Sequence, residues 1–227
     1  MPAQGGSYLN IPCLFPFRER ARQVTNTTTT TTTRRNLNWR VVDIVVASVI
    51  GVASGAIFLV WNVASEPVTA PLKALLPGLQ ALGGGLWLFA GVLTALVIRK
   101  PGAALYGELL AATVSALVGN QWGATTLLSG LVQGLGAELV FLAFFYANWR
   151  VYVAVLAGAG AGLAMAVTDL LVWFAGADSL FATVYTISGI GSGALIAGLL
   201  SWLAAHGLAR TGALNRFASG REVTTRV

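Results

Sequence analysis

The sequence predicts an all-α membrane protein of six transmembrane helices with both termini on the cytoplasmic side, and three observations carry that prediction. Charged residues make up 10% of the chain and apolar residues 56%, whereas soluble domains average roughly 25% charged residues. The apolar residues fall into six stretches, 41–63, 77–98, 102–119, 124–146, 151–175 and 180–208, close to the length of about 20 residues that a helix needs to cross a bilayer core. The charges between them alternate in sign preference. Arg34, Arg35 and Arg40 precede the first stretch, Arg99 and Lys100 follow the second, Arg150 the fourth, and Arg210, Arg216, Arg221 and Arg226 the sixth. The other side has Lys73, with Glu66 and Asp178. Because cytoplasmic loops hold the excess of Lys and Arg, both termini are placed inside.

The flanks differ from this middle. Residues 1–36 lack the apolar segment of a signal peptide, and 27–33 is an unbroken threonine run with nothing to bury, so 1–36 is expected to be a disordered leader. Residues 209–227 are expected to be a solvated, basic cytoplasmic tail, leaving 37–208 as the membrane domain. The single cysteine, Cys13, supports neither a disulfide framework nor a thiolate metal site. The net charge of +6 is spread over chain ends and short loops and so does not indicate nucleic acid.

The first span bears a stripe of small residues at helical spacing, Ala47, Gly51 and Gly55, with Ser48 beside it. Such stripes let a second helix approach closely in lipid, as do Gly130 with Gly134, Gly158 with Gly162, and Gly189 with Gly193; most are expected to serve packing within the chain. The connection that follows, "SEPVTAPLKALLPG" at 65–78, contains three prolines. It is expected to be a long loop, either a lid over the outer mouth or a passive connector with a short interfacial turn. Trp87 falls in the outer part of the second span.

Four acids lie within the spans: Asp43, Glu108, Glu138 and Asp169. A carboxylate at a helix centre costs at least ~2.5 kcal/mol to insert, so each is a candidate site residue unless it is paired. Asp43, near the cytoplasmic end, can pair with Arg40 or Arg34 and is assigned a structural role. Glu108 shares a small, polar face with Ala104, Ala111, Ala112 and Ser115, and Glu138 continues the stripe of Gly130 and Gly134. At 1.5 Å per residue they lie roughly 9 Å and 12 Å from the inner ends of their spans, at similar depth. Asp169 and Trp173, four residues apart, share one face, and a carboxylate beside an indole suits an organic cation.

Toward the outer side lie Trp61 and Asn62, and the motif "GNQWG" at 119–123 with Asn120, Gln121 and Trp122. Tryptophans anchor helices at the interface, but anchoring does not need adjacent amides, so this group suggests a recessed polar pocket. Gln133 is at mid-span, where an unsatisfied amide is costly; it either bridges helices or donates to a ligand.

Enzyme chemistry finds no support. "GIGSG" around Ser192 superficially resembles a nucleophile turn, but His206 is 14 residues along the same helix, roughly 21 Å away and beyond reach of Ser192. Metal-ligand clusters and a Walker A motif are missing from the sequence. "GAGAG" at 158–162 lacks the strand and acid of a dinucleotide fold.

The motifs "WN" at 61–62, "GGLW" at 84–87, "RKPGAAL" at 99–105 with Glu108 after it, "GNQWG", and "GLVQGLGAELVF" at 130–141 together resemble the substrate-binding S components of energy-coupling factor (ECF) vitamin transporters, of the YkoE type associated with thiamine and its hydroxymethylpyrimidine precursor. The resemblance covers roughly residues 39–208. It implies a protein of the prokaryotic plasma membrane, not itself an enzyme, that captures a vitamin from outside. A transmembrane coupling subunit (T component) and two ATPase subunits on other chains would drive its release inward. The resemblance also makes Ala47, Gly51 and Gly55 the matching candidates for contact with the coupling subunit.

Thiamine joins a cationic thiazolium to a flat aminopyrimidine and would need carboxylates, aromatic faces and amides. Glu108, Glu138 and Asp169 are the expected carboxylates; Trp61, Trp87, Trp122 and Trp173 the aromatic faces; Asn62, Asn120, Gln121 and Gln133 the amides. "GNQWG" is then an outer wall or gate. The competing class is a self-sufficient, proton-coupled secondary transporter of a small organic cation that uses the buried acids as a relay. Both ligands share the pyrimidine, so residue types leave the choice between them open.

Overall fold

A computed structural model describes residues 37–212 together with 214 and 217; the threonine-rich leader and most of the basic tail lie outside the described residues. The described chain is entirely helical. Helix α1 (Val41–Leu75) leads through a 3-10 segment (Leu79–Trp87) into α2 (Phe89–Ile98). There follow α3 (Ala103–Val118), α4 (Thr125–Ala143), α5 (Val151–Val172) and α6 (Ser179–Ser192), which continues as a π-helical stretch (Gly193–Leu200) into α7 (Ser201–Arg210). Five helical stretches among the described residues are long and apolar enough to cross a membrane: Val41–Leu75, Leu79–Ile98, Thr125–Ala143, Val151–Val172 and Ser179–Arg210. Ala103–Val118 is apolar but shorter. At 16 residues it spans roughly 24 Å, and it is cut short by Gly102 and Gly119, both at positive φ (81° and 107°).

The largest departure from expectation is α1. It runs unbroken through 65–75 with Pro67 and Pro71 inside it, where a loop is expected. Each proline removes a hydrogen bond to the carbonyl four residues earlier, here those of Val63 and Pro67. Val63 is 81% exposed, and it lies roughly 33 Å along the helix, past a hydrocarbon core of about 30 Å, where water can take the freed carbonyls. The opposite face of the extension is buried through Asn62, Ser65 and Thr69. That face packs on the glycines of the 3-10 segment, since a Cβ on Gly83 would stand 2.6 Å from the Thr69 methyl. Tertiary packing on one face and hydration on the other keep the helix intact.

Helix α2 lies at the centre of the bundle. Eight of its ten residues are buried, as expected of a helix apolar on all sides, and it contacts α1, α3, α4, α5 and α7. The surface instead displays Val49, Val60, Leu139, Leu171 and Ile187, the faces a lipid solvent would cover.

The small-residue stripes are consumed inside the chain. Ala47, Gly51 and Gly55 are buried. A Cβ on Gly51 would meet the Leu110 side chain at 2.9 Å, and one on Gly55 would meet Val114 at 2.7 Å and the Ala111 carbonyl at 2.9 Å. The stripe proposed for a coupling partner is therefore covered by α3. Gly130 and Gly134 likewise face α3, while Gly158 and Gly162 lie against the backbone of Gly193 and Gly189.

The starts of α1, α3 and α5 share one end, here called the basic end. Lys100 Nζ is 2.5 Å from Asp43 Oδ2 and also donates to the Asn38 carbonyl; Arg40 completes the cluster 3.2 Å from Asp43 Oδ1, and the Arg99 guanidinium lies 5.8 Å from the centre of the Trp149 ring. Asp43 is thus paired, with Lys100 as an additional partner. The start of the tail is less polar in its surroundings than expected, because Leu214 and Phe217 are buried in the hydrophobic core.

Candidate ligand-binding cavity

A cavity of about 460 Å³ opens at the end opposite the basic one, within the range of roughly 300–1,000 Å³ typical of small-molecule sites. Of the residues expected to bind a ligand, Asn62, Trp87, Glu108, Gln121, Trp122, Gln133, Asp169 and Trp173 line it. They come from α1, the 3-10 segment, α3, the loop after it, α4 and α5. None of the lining residues is basic, whereas three are carboxylic acids, Glu66, Glu108 and Asp169.

Glu108 forms the deepest polar group, with 1% exposure. Its Oε2 accepts the backbone N–H of Gly91 at 2.7 Å, while Oε1 has no hydrogen-bond partner. A buried carboxylate oxygen without a donor costs about 1–3 kcal/mol or more. Gly91 makes the contact possible, because a Cβ there would stand 3.1 Å from Oε2. Asp169, on α5, accepts a hydrogen bond from the Tyr185 hydroxyl at 2.7 Å. Tyr185 in turn packs against Phe174 and Phe181, with centroids 5.3 Å and 5.6 Å away.

The aromatic wall is held by a chain of hydrogen bonds. Trp87 Nε1 donates to Asn62 Oδ1 at 2.8 Å, Asn62 Nδ2 donates to Ser115 Oγ at 3.0 Å, and Asn120 Nδ2 reaches the same oxygen at 3.2 Å. Asn62 therefore orients the Trp87 indole, which meets Trp122 edge to face at 5.5 Å and Trp61 at 6.0 Å.

Three expected site residues fall outside the cavity wall. Asn120 Oδ1 accepts from the backbone N–H groups of Trp122 and Gly123 at 2.9 Å and 2.8 Å and from Thr126 at 3.1 Å, so it builds the turn that presents Gln121 and Trp122. Trp61 supports Trp87 from behind and donates to the Gly83 carbonyl at 3.1 Å. Glu138 belongs to the basic end. Its carboxylate accepts from the N–H groups of Gly102, Ala104 and Leu105 at 2.6, 2.9 and 3.3 Å and from the Tyr146 hydroxyl at 2.8 Å. It caps the first turn of α3, where a carboxylate also favours the helix dipole. The expected common depth of Glu108 and Glu138 does not hold: a Cβ on Gly134 would stand 3.1 Å from Glu108 Cβ, and Glu138 lies one turn farther along α4, level with the backbone of Gly102, Ala104 and Leu105 at the start of α3.

Sequence reasoning overlooked Glu66, Ser65 and Thr69, which belong to a segment expected to be loop, and Phe58, Gln80, Met165 and Tyr185. Glu66 was legible only as a loop charge. Ser192, outside the cavity, accepts from Gly85 N–H at 2.8 Å and donates to the Leu82 carbonyl at 2.5 Å, so it ties α6 to the 3-10 segment. His206 stacks on Trp202 at 3.9 Å.

Comparison with known proteins agrees with this architecture. The family described as "ABC-type cobalt transport system, permease component" matches residues 42–164. The chain is 35% identical over 199 residues to the "Putative HMP/thiamine permease protein YkoE" of Bacillus subtilis (strain 168), covering 82% of this chain and 92% of that protein. A solved structure described as "Crystal structure of an S-component of ECF transporter" superimposes with a TM-score of 0.76 at 36% identity, covering 83% of this chain and 95% of that one.

Proposed function

Because the chain belongs to the YkoE-like family of ECF transporter S components, a multi-pass membrane and substrate-binding class, we propose that its cavity captures thiamine or hydroxymethylpyrimidine from outside the cell for ATP-driven uptake. The observation that carries this reading is the composition of the cavity: three carboxylates, no basic residue and a wall of indoles. An organic cation with a flat ring is stabilised by each of these features through charge, cation–π attraction and stacking. The relative from Bacillus subtilis carries both compounds in its name.

In this reading the membrane domain has six spans, with α3 as the short sixth between α1 and α4. The basic end faces the cytoplasm of a prokaryotic cell, by the bias of Lys and Arg. The cavity, at the opposite end, is then open to the outside. A T component and two ATPase subunits supply the energy. Since α3 covers Ala47, Gly51 and Gly55, the coupling subunit would have to engage another surface or displace α3.

The test is a titration of the detergent-purified protein with each compound, following the fluorescence of its seven tryptophans, three of which line the cavity. Saturable quenching at submicromolar ligand, weakened by Asp169→Asn or Glu108→Gln, supports capture. No saturable response to either compound from folded protein would sink this reading and favour a proton-coupled carrier.

A further inference from the structure

The segment Leu79–Trp87 keeps a 3-10 form over nine residues, whereas runs beyond three or four residues are uncommon. Its three successive glycines let the bundle accept it. At three residues per turn, Gly83, Gly84 and Gly85 point in directions about 120° apart, and each meets a different helix. A Cβ on Gly83 would stand 2.6 Å from the Thr69 methyl of α1, one on Gly84 2.5 Å from the Met165 methyl of α5, and one on Gly85 2.6 Å from Ser192 Oγ of α6. The same repeat stacks residues three apart. Ala81, Gly84 and Trp87 thus form one row, and all three line the cavity. In an α-helix Trp87 would stand about 120° around the axis from Ala81 and leave that row.

One turn of the segment is bridged from outside. Gly85 N–H and the Leu82 carbonyl are the donor and acceptor of a single 3-10 turn. Both bond Ser192 Oγ, which accepts from the first at 2.8 Å and donates to the second at 2.5 Å. An α-helical turn would send Gly85 N–H to the Ala81 carbonyl and give the Leu82 carbonyl to Leu86 N–H, so the serine favours the tighter winding. Ser192 is itself held in place, because Gly189 and Gly193 on either side of it lie against the backbone of Gly162 and Gly158 in α5.

Resting on the reading of the cavity as the substrate site, we infer that Ser192 is a positioning residue for that site. Its hydroxyl keeps Leu79–Trp87 in the three-residue winding, and the winding keeps the Trp87 indole in the row with Ala81 and Gly84, where Asn62 accepts its N–H. Ser192 lies outside the cavity wall and acts through Trp87.

Fluorine NMR of the full chain in detergent, labelled with 5-fluorotryptophan and with the Trp87 resonance assigned through Trp87→Phe, tests this without ligand. Ser192→Ala is expected to shift or broaden the Trp87 signal and to leave those of Trp39 and Trp149, at the basic end, unchanged. Ser188→Ala, the same change one turn earlier on α6, should leave all three in place. With thiamine, Ser192→Ala is expected to weaken binding roughly threefold to tenfold, but by less than about twofold when Trp87 is already Phe, since residues that act as a unit are not additive. An unmoved Trp87 signal in Ser192→Ala, a shift as large in Ser188→Ala, or equal losses of affinity with and without Trp87 would each overturn the assignment. Wild-type protein that binds neither thiamine nor hydroxymethylpyrimidine would instead overturn the parent reading, and the ligand-free spectra would still decide whether Ser192 places Trp87.

Discussion

The backbone N–H of Gly91 lies 2.7 Å from Oε2 of Glu108, and this contact holds the carboxylate at the closed end of the cavity with Oε1 left unpartnered. A side chain at 91 would push on it, since a Cβ would stand 3.1 Å from Oε2 and 2.8 Å from the Ala104 carbonyl. Gly91→Ala is expected to lower thermal stability, by an overpacking cost of about 1–3 kcal/mol. It should also weaken ligand affinity roughly tenfold by moving the acceptor. A titration with unchanged affinity would remove Glu108 from the binding account.

Glu138 predicts the opposite pattern. It caps α3 and bonds Tyr146 away from the cavity, so Glu138→Ala removes the acceptor for several backbone donors, at about 1–3 kcal/mol. The melting temperature in detergent should fall while ligand affinity stays within about threefold of wild type. A large loss of affinity in a variant of wild-type stability would return Glu138 to the site.

Tyr146 gives a dependence on pH. Burial, and then its bond to the Glu138 carboxylate, push the phenol above its usual value. A folded value raised above the unfolded one of about 10 means that the stabilisation is complete below that pH and is lost as pH climbs beyond it. The melting-temperature difference between wild type and Tyr146→Phe should therefore hold steady from neutral pH to about 9 and shrink above about 10. A difference that shrinks between neutrality and pH 9 would contradict this bond.

The stripe on α1 can be tested without any partner. Gly55 has no room for a side chain against Val114 and the Ala111 carbonyl, so Gly55→Leu is expected to destabilise the isolated protein by about 1–3 kcal/mol or more. The readout is thermal unfolding in detergent. If Gly55→Leu melts like wild type, the stripe is free for a coupling subunit after all.

Much of this protein is written in its sequence. Apolar stretches of membrane length, and Arg and Lys at alternate connections, specify a helical membrane protein, because backbone groups in lipid must be paired within each segment. Buried acids and indoles were also legible, since Glu108, Asp169, Trp87 and Trp122 are costly or unusual where they stand. Distances across helices were not. Glu108 and Glu138 look alike as intramembrane carboxylates, but one lines the cavity and the other meets the first turn of α3, which depends on how α4 packs against α3. Ala47, Gly51 and Gly55 announce a close helix contact in either case, and only the packing of α3 decides which helix makes it. Pro67 and Pro71 locally argue for a break, yet a buried face of Asn62, Ser65 and Thr69 keeps α1 helical and puts Glu66 on the cavity. Local chemistry is set by residue type; which groups face one another is set by packing between segments far apart in the chain, and that only the tertiary structure decided.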